Sequence, residues 1–310
     1  MAKIITSIVI PTLDREPIVL STLNILKREI DEETECLVID QSDKPSIHLK
    51  TFGAQFPNYR YIHLIEKGLP NARNVGMSES VGDIIIFIDD DVVPIEGFVR
   101  YHLKNYRDEN VAGIGGKVIE DSNVFNTGGK YIGGKINFYG RSQRNFESDQ
   151  YGETEWGAGC NFSIRKSALA DIIKFDVAYS GTAVLEEADF FEQLRKYGGK
   201  IFYDPKSELK HLRAQIGGCR QLDRNVREYW RFHNATLFFL KHRSAYFFPV
   251  FMFYYFLLLL FNVISGNVKL SVVFKILGGF RDGISTYRKN RNKYLHVCRQ
   301  MKVDSKGVIS

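Results

Sequence analysis

The sequence predicts an α/β fold: a mainly parallel sheet with flanking helices, followed by apolar and amphipathic C-terminal helices. Three observations predict it. Apolar, strand-like runs alternate with helical stretches through the first half of the chain, the order that builds βαβ units. One run, Ile84-Ile85-Ile86-Phe87-Ile88, is uncharged throughout, as suits a strand buried on both faces. It leads straight into Asp89-Asp90-Asp91, and ligands of open α/β sheets sit just beyond the carboxyl ends of strands.

The elements follow in order. Residues 7–10 read as the first strand, with Pro11-Thr12-Leu13-Asp14 as its exit loop. A helix over 17–29 places Leu20, Leu23 and Leu26 at helical spacing. Residues 35–39 form the second strand, ending at Asp40, and 59–64 the third. A helix over 70–80, the strand 84–88, a helix over 96–107 and a strand over 111–114 complete this half. Asp14, Asp40 and Asp89 each follow a strand, so a parallel sheet gathers them on one edge. Residues 115–159 change character. Gly115-Gly116, Gly128-Gly129, Gly133-Gly134 and Gly140 punctuate a polar, aromatic stretch, which predicts short hairpins or loops. Regular structure resumes with a strand over 160–164, helices over 166–173 and 183–197, and a short strand over 200–203. Gly198 closes the second of those helices.

The chain has 310 residues, enough for one large α/β domain plus an appendage. Its net charge of +6 is segregated: residues 241–310 hold 12 Lys+Arg against 2 Asp+Glu, leaving 30 against 34 in residues 1–240. The expected division is therefore a mildly acidic domain, 1–240, and a basic C-terminal region, 241–310. Residues 246–264 carry no charged side chain and are about long enough to cross a bilayer core. Lys241 and Arg243 before them and Lys269 and Lys275 after leave spanning and interfacial placements both open. A buried core or dimer helix is the plain alternative. Residues 268–283 read as a second, shorter amphipathic piece lying in the interface. Basic charge beside an apolar helix points to a membrane surface as partner, and no nucleic acid is expected. The N-terminal stretch reads as a strand and not as a secretory signal. Cys36, Cys160, Cys219 and Cys298 lack metal-type spacing, which predicts reduced thiols and a place on the cytoplasmic side of the membrane.

Three adjacent carboxylates repel one another, and a divalent cation relieves that repulsion. Hard oxygen ligands suit Mg²⁺ or Mn²⁺, which bind one or two carboxylates together with substrate phosphates. The triplet alone also fits a solvated turn capping the next helix, with Pro94 just inside it. Glu186-Glu187, near a helix start at Thr182, could take a proton from a hydroxyl, although acids favour a first helical turn for dipole reasons alone. Asp40 fits a turn as well as a ligand contact, since Gln41-Ser42-Asp43 follows. Trp156 could stack on a sugar or simply pack. Arg227, Tyr229, Arg231, His233 and Asn234 precede the apolar segment, where they could touch phosphates or lipid headgroups.

Several segments match one pattern. They are Ser7-Ile8-Val9-Ile10-Pro11-Thr12-Leu13-Asp14-Arg15, Leu37-Val38-Ile39-Asp40 with Ser42, and Gly68-Leu69-Pro70-Asn71-Ala72-Arg73-Asn74-Val75-Gly76. Gly82-Asp83 through Asp91, Gly157-Ala158-Gly159-Cys160-Asn161-Phe162-Ser163-Ile164-Arg165, Glu186-Glu187-Ala188-Asp189, and Tyr203-Asp204-Pro205 with His211 continue it. In this order and spacing the chain resembles the family 2 glycosyltransferases of the GT-A fold over residues 4–240. The resemblance implies a Rossmann-like fold and a UDP-, dTDP- or GDP-sugar donor, bound mainly by residues 1–115, with the acceptor mainly on 115–240. It implies Pro11, Thr12 and Asp14 near the nucleoside, Asp40 and Arg73 on the base, and Asp89 and Asp90 near the ribose and diphosphate. Asp91, with Asp89 and His211, would hold the metal. The family's usual base is the second residue of a Glu-Asp pair. Here that role falls to Glu187, one methylene longer, with Glu186 as the alternative. Trp156 and Asp189 fall on the acceptor side.

The expected activity is an inverting, metal-dependent sugar transfer to a glycan or lipid-linked acceptor, as in cell-surface polysaccharide synthesis. A nucleotidyltransferase would want a glycine- and Lys-rich phosphate loop, which Ile10-Pro11-Thr12-Leu13 is not. A non-catalytic membrane-bound binding protein of this fold would lack the acids that are present. No G-x-G-x-x-G follows the first strand, which disfavours a dinucleotide oxidoreductase.

Overall fold

The computed structural model describes residues 3–56, 58–120, 131–214, 217–218 and 223–307. Strand β1 (Thr6–Thr12) is buried along its whole length. It pairs in parallel with β2 (Thr34–Asp40) on one side and β4 (Ile84–Ile88) on the other, and β2 pairs in parallel with β3 (Tyr59–His63). Helices α1 (Glu16–Leu26), α2 (Ile47–Phe52) and α3 (Leu69–Glu79) lie between these strands in the chain. The sequence reading misses α2, whose six residues are too few to show a helical period. It also ends the first strand too early, since Pro11 and Thr12 continue β1 opposite Ile39 and Asp40.

The later elements are β5 (Val92–Pro94), α4 (Phe98–Asn105), β6 (Val111–Ile119), the hairpin β7 (Gly133–Ile136) and β8 (Ser142–Asn145), β9 (Gly152–Glu153), and β10 (Asn161–Arg165). They continue with α5 (Glu186–Lys196), β11 (Lys200–His211), α6 (Arg224–His242), α7 (Phe248–Ile264) and α8 (Val273–Gly307). The main sheet runs β3-β2-β1-β4-β10-β6-β11-β5, with β9 also on β11. Its first half is parallel. Its second half is mixed, because β10 runs antiparallel to both β4 and β6, and β5 antiparallel to β11. Apolar content marks a strand but not its direction, so the expectation of a mainly parallel sheet holds only for the first half.

Two further expectations change. Residues 166–173 form a single 3₁₀ turn (Lys166–Ala168) and not a helix, with backbone bonds closed locally at Leu169 and Ile173. The short strand at 200–203 runs on for twelve residues to His211. Pro205 reads as a strand end, but the strand bulges there: Asp204 pairs with Gly116 on β6, and Glu208 with the very next residue, Lys117. Beyond the bulge, His211 pairs with Val92 of β5.

The C-terminal helices pack on the domain. α6 and α8 approach closely through glycine: a Cβ on Gly279 would lie 2.5 Å from the Tyr229 carbonyl, and one on Gly283 2.6 Å from that of His233. Residues 268–283 are therefore mostly the first turns of α8, held against α6, and not a separate interfacial helix. At the end of α6, Lys241 pairs with Asp176 and Asp189, and His242 with Asp189, so a boundary at 240 cuts through a buried ion cluster. The apolar helix over Ala245–Ile264 has a mean hydropathy of 2.2 and is long enough to cross a membrane. Phe251, Tyr255 and Leu259, four residues apart, bury one face, with Phe251 against Phe239 and Tyr255 against Phe232. Phe253, Phe256, Phe261 and Ile264 stay exposed.

Candidate active site

β4 delivers the three aspartates to the carboxyl edge of the sheet, and each turns a different way. Asp89 is the most open, with 31% of its side chain exposed. Asp90 turns inward, where Oδ2 accepts from Thr12 Oγ1 at 2.7 Å and Oδ1 from Arg15 Nη1 at 2.8 Å. Burial pushes its pKa up to about 6, against the pull of Arg15. Asp91 is fully buried. Its Oδ2 accepts from the Ala214 N–H at 2.8 Å, and its Oδ1 lies 3.1 Å from His211 Nε2. His211 reaches this edge because β11 pairs with β5, the strand just after the triplet. Its Nδ1 bonds Glu120, past the end of β6, and its Nε2 is 3.8 Å from Asp89 Oδ2. Burial works against a charge on His211, but the hydrogen bonds to Asp91 and Glu120 outweigh it and push its pKa up to about 9.

This donor set fits a hard divalent cation. Two carboxylates converge on one imidazole nitrogen, and the raised pKa of His211 means that the spot favours positive charge, carried by a proton or by a metal. Cys160 Sγ belongs to the same group: the ligand atoms of Asp89, Cys160 and His211 lie within 4.8 Å of one another. Burial raises the Cys160 pKa far above the usual thiol range, so it stays protonated, and soft sulfur suits neither Mg²⁺ nor Mn²⁺.

The neighbouring strand ends complete the edge. Asp40 is held in place, with Oδ1 accepting from the Ser42 N–H at 2.9 Å and hydroxyl at 2.6 Å, and Oδ2 from Tyr61 at 2.7 Å. Asp14, at φ 55°, donates its N–H to Ser42 Oγ at 2.9 Å. Arg73, on α3, is 2% exposed. Its guanidinium pairs with Glu186, stands 3.6 Å from Asp89 Oδ1 and donates to the Gly159 carbonyl at 2.8 Å. The structure thus seats Arg73 among the acids, between the triplet and α5.

α5 starts at Glu186, later than the expected start near Thr182. Ala183 and Leu185 precede it with φ of 51° and 71°, left-handed conformations that cost roughly 1–3 kcal/mol each in a residue with a Cβ. They aim Glu186 and Glu187 into the first turn, where the helix dipole favours carboxylates. The two then diverge. Glu186 is 1% exposed and locked to Arg73. Glu187 lines a cavity of about 100 Å³ together with Arg144, Trp156 and Arg231. Gly159 lets Arg73 and Glu187 draw together: a Cβ there would sit 3.2 Å from Arg73 Nη2 and 3.6 Å from Glu187 Cδ. Burial raises the Glu187 pKa, while Arg73 and Arg144 pull it down less strongly.

Trp156 is buried, edge-on to Phe146 with ring centroids 5.0 Å apart, and forms a wall of the Glu187 cavity. Asp189 does not join it. Its carboxylate meets Lys241 and His242 at 2.6 Å and accepts from Tyr179 at 3.0 Å, so it ties α5 to α6. The reason is periodicity, since two residues along a helix do not share a face. Arg15, Glu120 and Arg144 escaped the sequence reading as site residues. Arg15 had a signal, because it directly follows the exit loop of the first strand. Glu120 and Arg144 border or lie within the glycine-rich stretch and become recognisable only when β6 and β8 are folded.

Comparison with known proteins bears on the family and the fold. The pattern described as Glycosyl transferase family 2 matches residues 7–173. Over 106 residues the chain is 30% identical to the uncharacterized glycosyltransferase YfnE of Bacillus subtilis (strain 168), a match covering 33% of this chain and 27% of that relative. The chain thus matches about a quarter of the length of this curated relative. The crystal structure of S. aureus TarS 1-349 in complex with UDP-GlcNAc superposes with a TM-score of 0.61 at 15% identity, covering 97% of this chain and 89% of that one. GalNAc-T7, solved with UDP, GalNAc and Mn²⁺, gives 0.55 at 14% identity, covering 76% and 51%. At such identities these two speak for a shared GT-A fold. Since the matched pattern spans more than half of its residues, the chain belongs to glycosyl transferase family 2.

Proposed function

We propose that the chain moves a sugar from a nucleotide-diphosphate donor to a hydroxyl of a glycan or lipid-linked acceptor, with inversion and with a divalent metal. The observation that carries this reading is the placement of Glu187 beside Gly159 and Arg73, across from Asp89 and the triplet. A base and a diphosphate-binding edge then share one cleft. Glu187 takes the acceptor hydroxyl proton as the new bond to the anomeric carbon forms, and the bond from that carbon to the diphosphate breaks on the opposite side. Asp89, Asp91 and His211 would hold Mg²⁺ or Mn²⁺, which when bound neutralises charge gathering on the leaving diphosphate. Arg73 holds Glu186 and leaves Glu187 as the acid that faces the cavity. Thr12, Asp14 and Asp40 would receive the nucleoside at the ends of β1 and β2. The UDP and UDP-GlcNAc of the TarS structures and the UDP and Mn²⁺ of GalNAc-T7 support a UDP-sugar donor and a metal.

The C-terminal helices support work at a membrane surface. α7 is anchored to the domain along one face, which favours lying in the interface over crossing it, with the catalytic domain in the cytosol. A panel of UDP-, dTDP- and GDP-sugars, each with Mn²⁺, Mg²⁺ or chelator, tests the chemistry. Donor turnover that persists in excess chelator removes the metal, and no response to any donor removes the activity. Flotation with phosphatidylcholine vesicles in high salt tests α7. A protein that stays at the bottom of the gradient does not bury it in lipid.

A further inference from the structure

Cys160 sits inside the candidate metal cluster, and a hard cation gives it nothing to do. It directly precedes β10, whose Asn161 pairs with Ile88, so the next antiparallel step sets position 160 against position 89. β11 brings His211 in from a third strand. The ligand atoms of Asp89, Cys160 and His211 consequently lie within 4.8 Å of one another, with His211 Nε2 3.8 Å from Asp89 Oδ2. Glu120 holds the far nitrogen, Nδ1, and so turns Nε2 toward the group, the carboxylate–imidazole pairing that orients a histidine ligand. Burial alone does not set Cys160 apart. Cys36 is buried too, inside β2 opposite Ile8, and among the described residues it belongs to no such group.

Metal chemistry sorts these ligands. Mg²⁺ and Mn²⁺ take oxygen, so they use the carboxylates and leave a thiol idle. Zn²⁺ takes thiolate, imidazole and carboxylate together, with bonds of about 2.0–2.3 Å, and keeps a fourth position for water or substrate. Such bonds set tetrahedral ligands roughly 3.3–3.8 Å apart. The Asp89–His211 distance is already there, and the cluster needs to draw in by about 1 Å at most. We propose that Asp89, Cys160 and His211 form a site for a thiol-binding divalent cation of the Zn²⁺ class, which excludes the hard cation of the transfer reaction and keeps the enzyme inactive while bound. Cys160 enters as the thiolate, and its proton passes to water. Both cations need Asp89 and His211, so only one is held at a time. That competition rests on the metal proposed for sugar transfer, whereas the Zn²⁺ site itself does not. The affinity order favours the inhibitor, because a site of given ligands binds Zn²⁺ more tightly than Mn²⁺. The thiol widens that gap, since it serves one cation and not the other.

Co²⁺ stands in for Zn²⁺ and makes the thiolate visible. Full-length protein freed of metal is titrated with Co²⁺, and the near-ultraviolet band of a cobalt–thiolate bond is followed. The expected band saturates, is discharged by Zn²⁺, and is lost in Cys160→Ser and Cys160→Ala, which keep Cys36, Cys219 and Cys298. Zn²⁺ should inhibit Mn²⁺-dependent donor turnover with an affinity that drops about tenfold or more in both variants. UDP binding, measured on each variant, checks the fold. Zinc-edge X-ray absorption of the wild-type protein reads the same contact without a mutation, as a sulfur at about 2.3 Å beside nitrogen and oxygen. Absence of the band and of the sulfur overturns the site, as does a band of equal strength in folded Cys160 variants. A band without loss of turnover under Zn²⁺ overturns the inhibition. Mn²⁺ that neither binds nor supports turnover, while the cobalt–thiolate band persists, overturns the metal of the transfer reaction instead and leaves the Cys160 site standing.

Discussion

The two ends of the cleft satisfy their buried polar groups to different degrees. At the proposed donor end the buried charges are matched inside the protein: Asp90 with Arg15 and Thr12, Asp91 with His211 and the Ala214 N–H, His211 with Glu120. At the proposed acceptor end Arg144 and Arg231 share a cavity with Glu187, Arg231 also pairs with Glu228 at 3.6 Å, and Ser142 Oγ and Trp156 Nε1 keep no hydrogen-bond partner among the described residues. A matched edge is rigid without its ligand, which suits a diphosphate that must be held in one pose for displacement. Buried donors with no hydrogen-bond partner among the described residues leave bonds for a ligand to make, which suits the substrate whose choice defines the product. The glutamate pair repeats the contrast within two residues, since Glu186 is closed off by Arg73 and Glu187 is left open.

The sharpest way to break this comparison is to neutralise each glutamate. Glu187→Gln should lower turnover by about 10²–10⁴-fold, the scale of a lost general base, while UDP still binds. Steady-state kinetics with a calorimetric UDP titration measures both. Glu186→Gln should instead damage the fold. Arg73 then stays buried with its nearest carboxylate partner removed and Asp89 3.6 Å away, a loss of about 3 kcal/mol that shifts the urea midpoint. If Glu186→Gln stops turnover in a stable protein, the assignments are reversed.

Asp91→Asn comes next. It weakens the matched edge proposed to face the leaving group, so kcat should fall by about 10²–10³-fold. Near-normal turnover in this variant would detach Asp91 from the leaving diphosphate.

The pH profile sharpens the role of Glu187. It acts only when ionised, and burial raises its pKa, so kcat should begin to fall on the acid side at a higher pH than for an exposed glutamate. Below that limb the rate drops about tenfold per pH unit. The limb should vanish in Glu187→Gln, and a limb unchanged there belongs to another group.

The smallest expected effect concerns the backbone that aims the pair. Ala183→Gly removes the Cβ from a left-handed position, and stability should rise by at most about 1 kcal/mol. A lower urea midpoint would mean that the buried methyl matters more than the strain.

What the sequence made legible was local chemistry. The 84–91 run names both a buried strand and the acids at its end, because a two-sided strand must be apolar and a strand end is where ligands bind. Arg15 sits beside a recognised loop, yet its ion pair with Asp90 crosses 75 positions of the chain. Glu120 and Arg144 lie where glycines erase periodicity, so nothing nearby announces their partners. Pro205 concealed most of β11, since a strand that bulges around a proline looks like one that stops. Asp189 was given to the acceptor side with the Glu186–Asp189 segment, and the 3.6-residue turn sends it to the opposite flank from Glu187.

The bulge in β11 works as a spacer between two ends of one strand. From Asp204 opposite Gly116, an unbroken pairing would put Glu208 beside Glu120. Acid would then face acid at the edge of the cleft, with no imidazole between them. The three residues from Pro205 to Ser207 delay the strand, so that Lys210 meets Ile119 and the next step brings His211 to Glu120. At about 3.3 Å per residue, pairing that trio into the ladder instead of bulging it out would carry the imidazole some 10 Å past the triplet. Which side chain reaches the triplet is thus set by counting along a strand, and three residues decide whether position 208 or position 211 arrives.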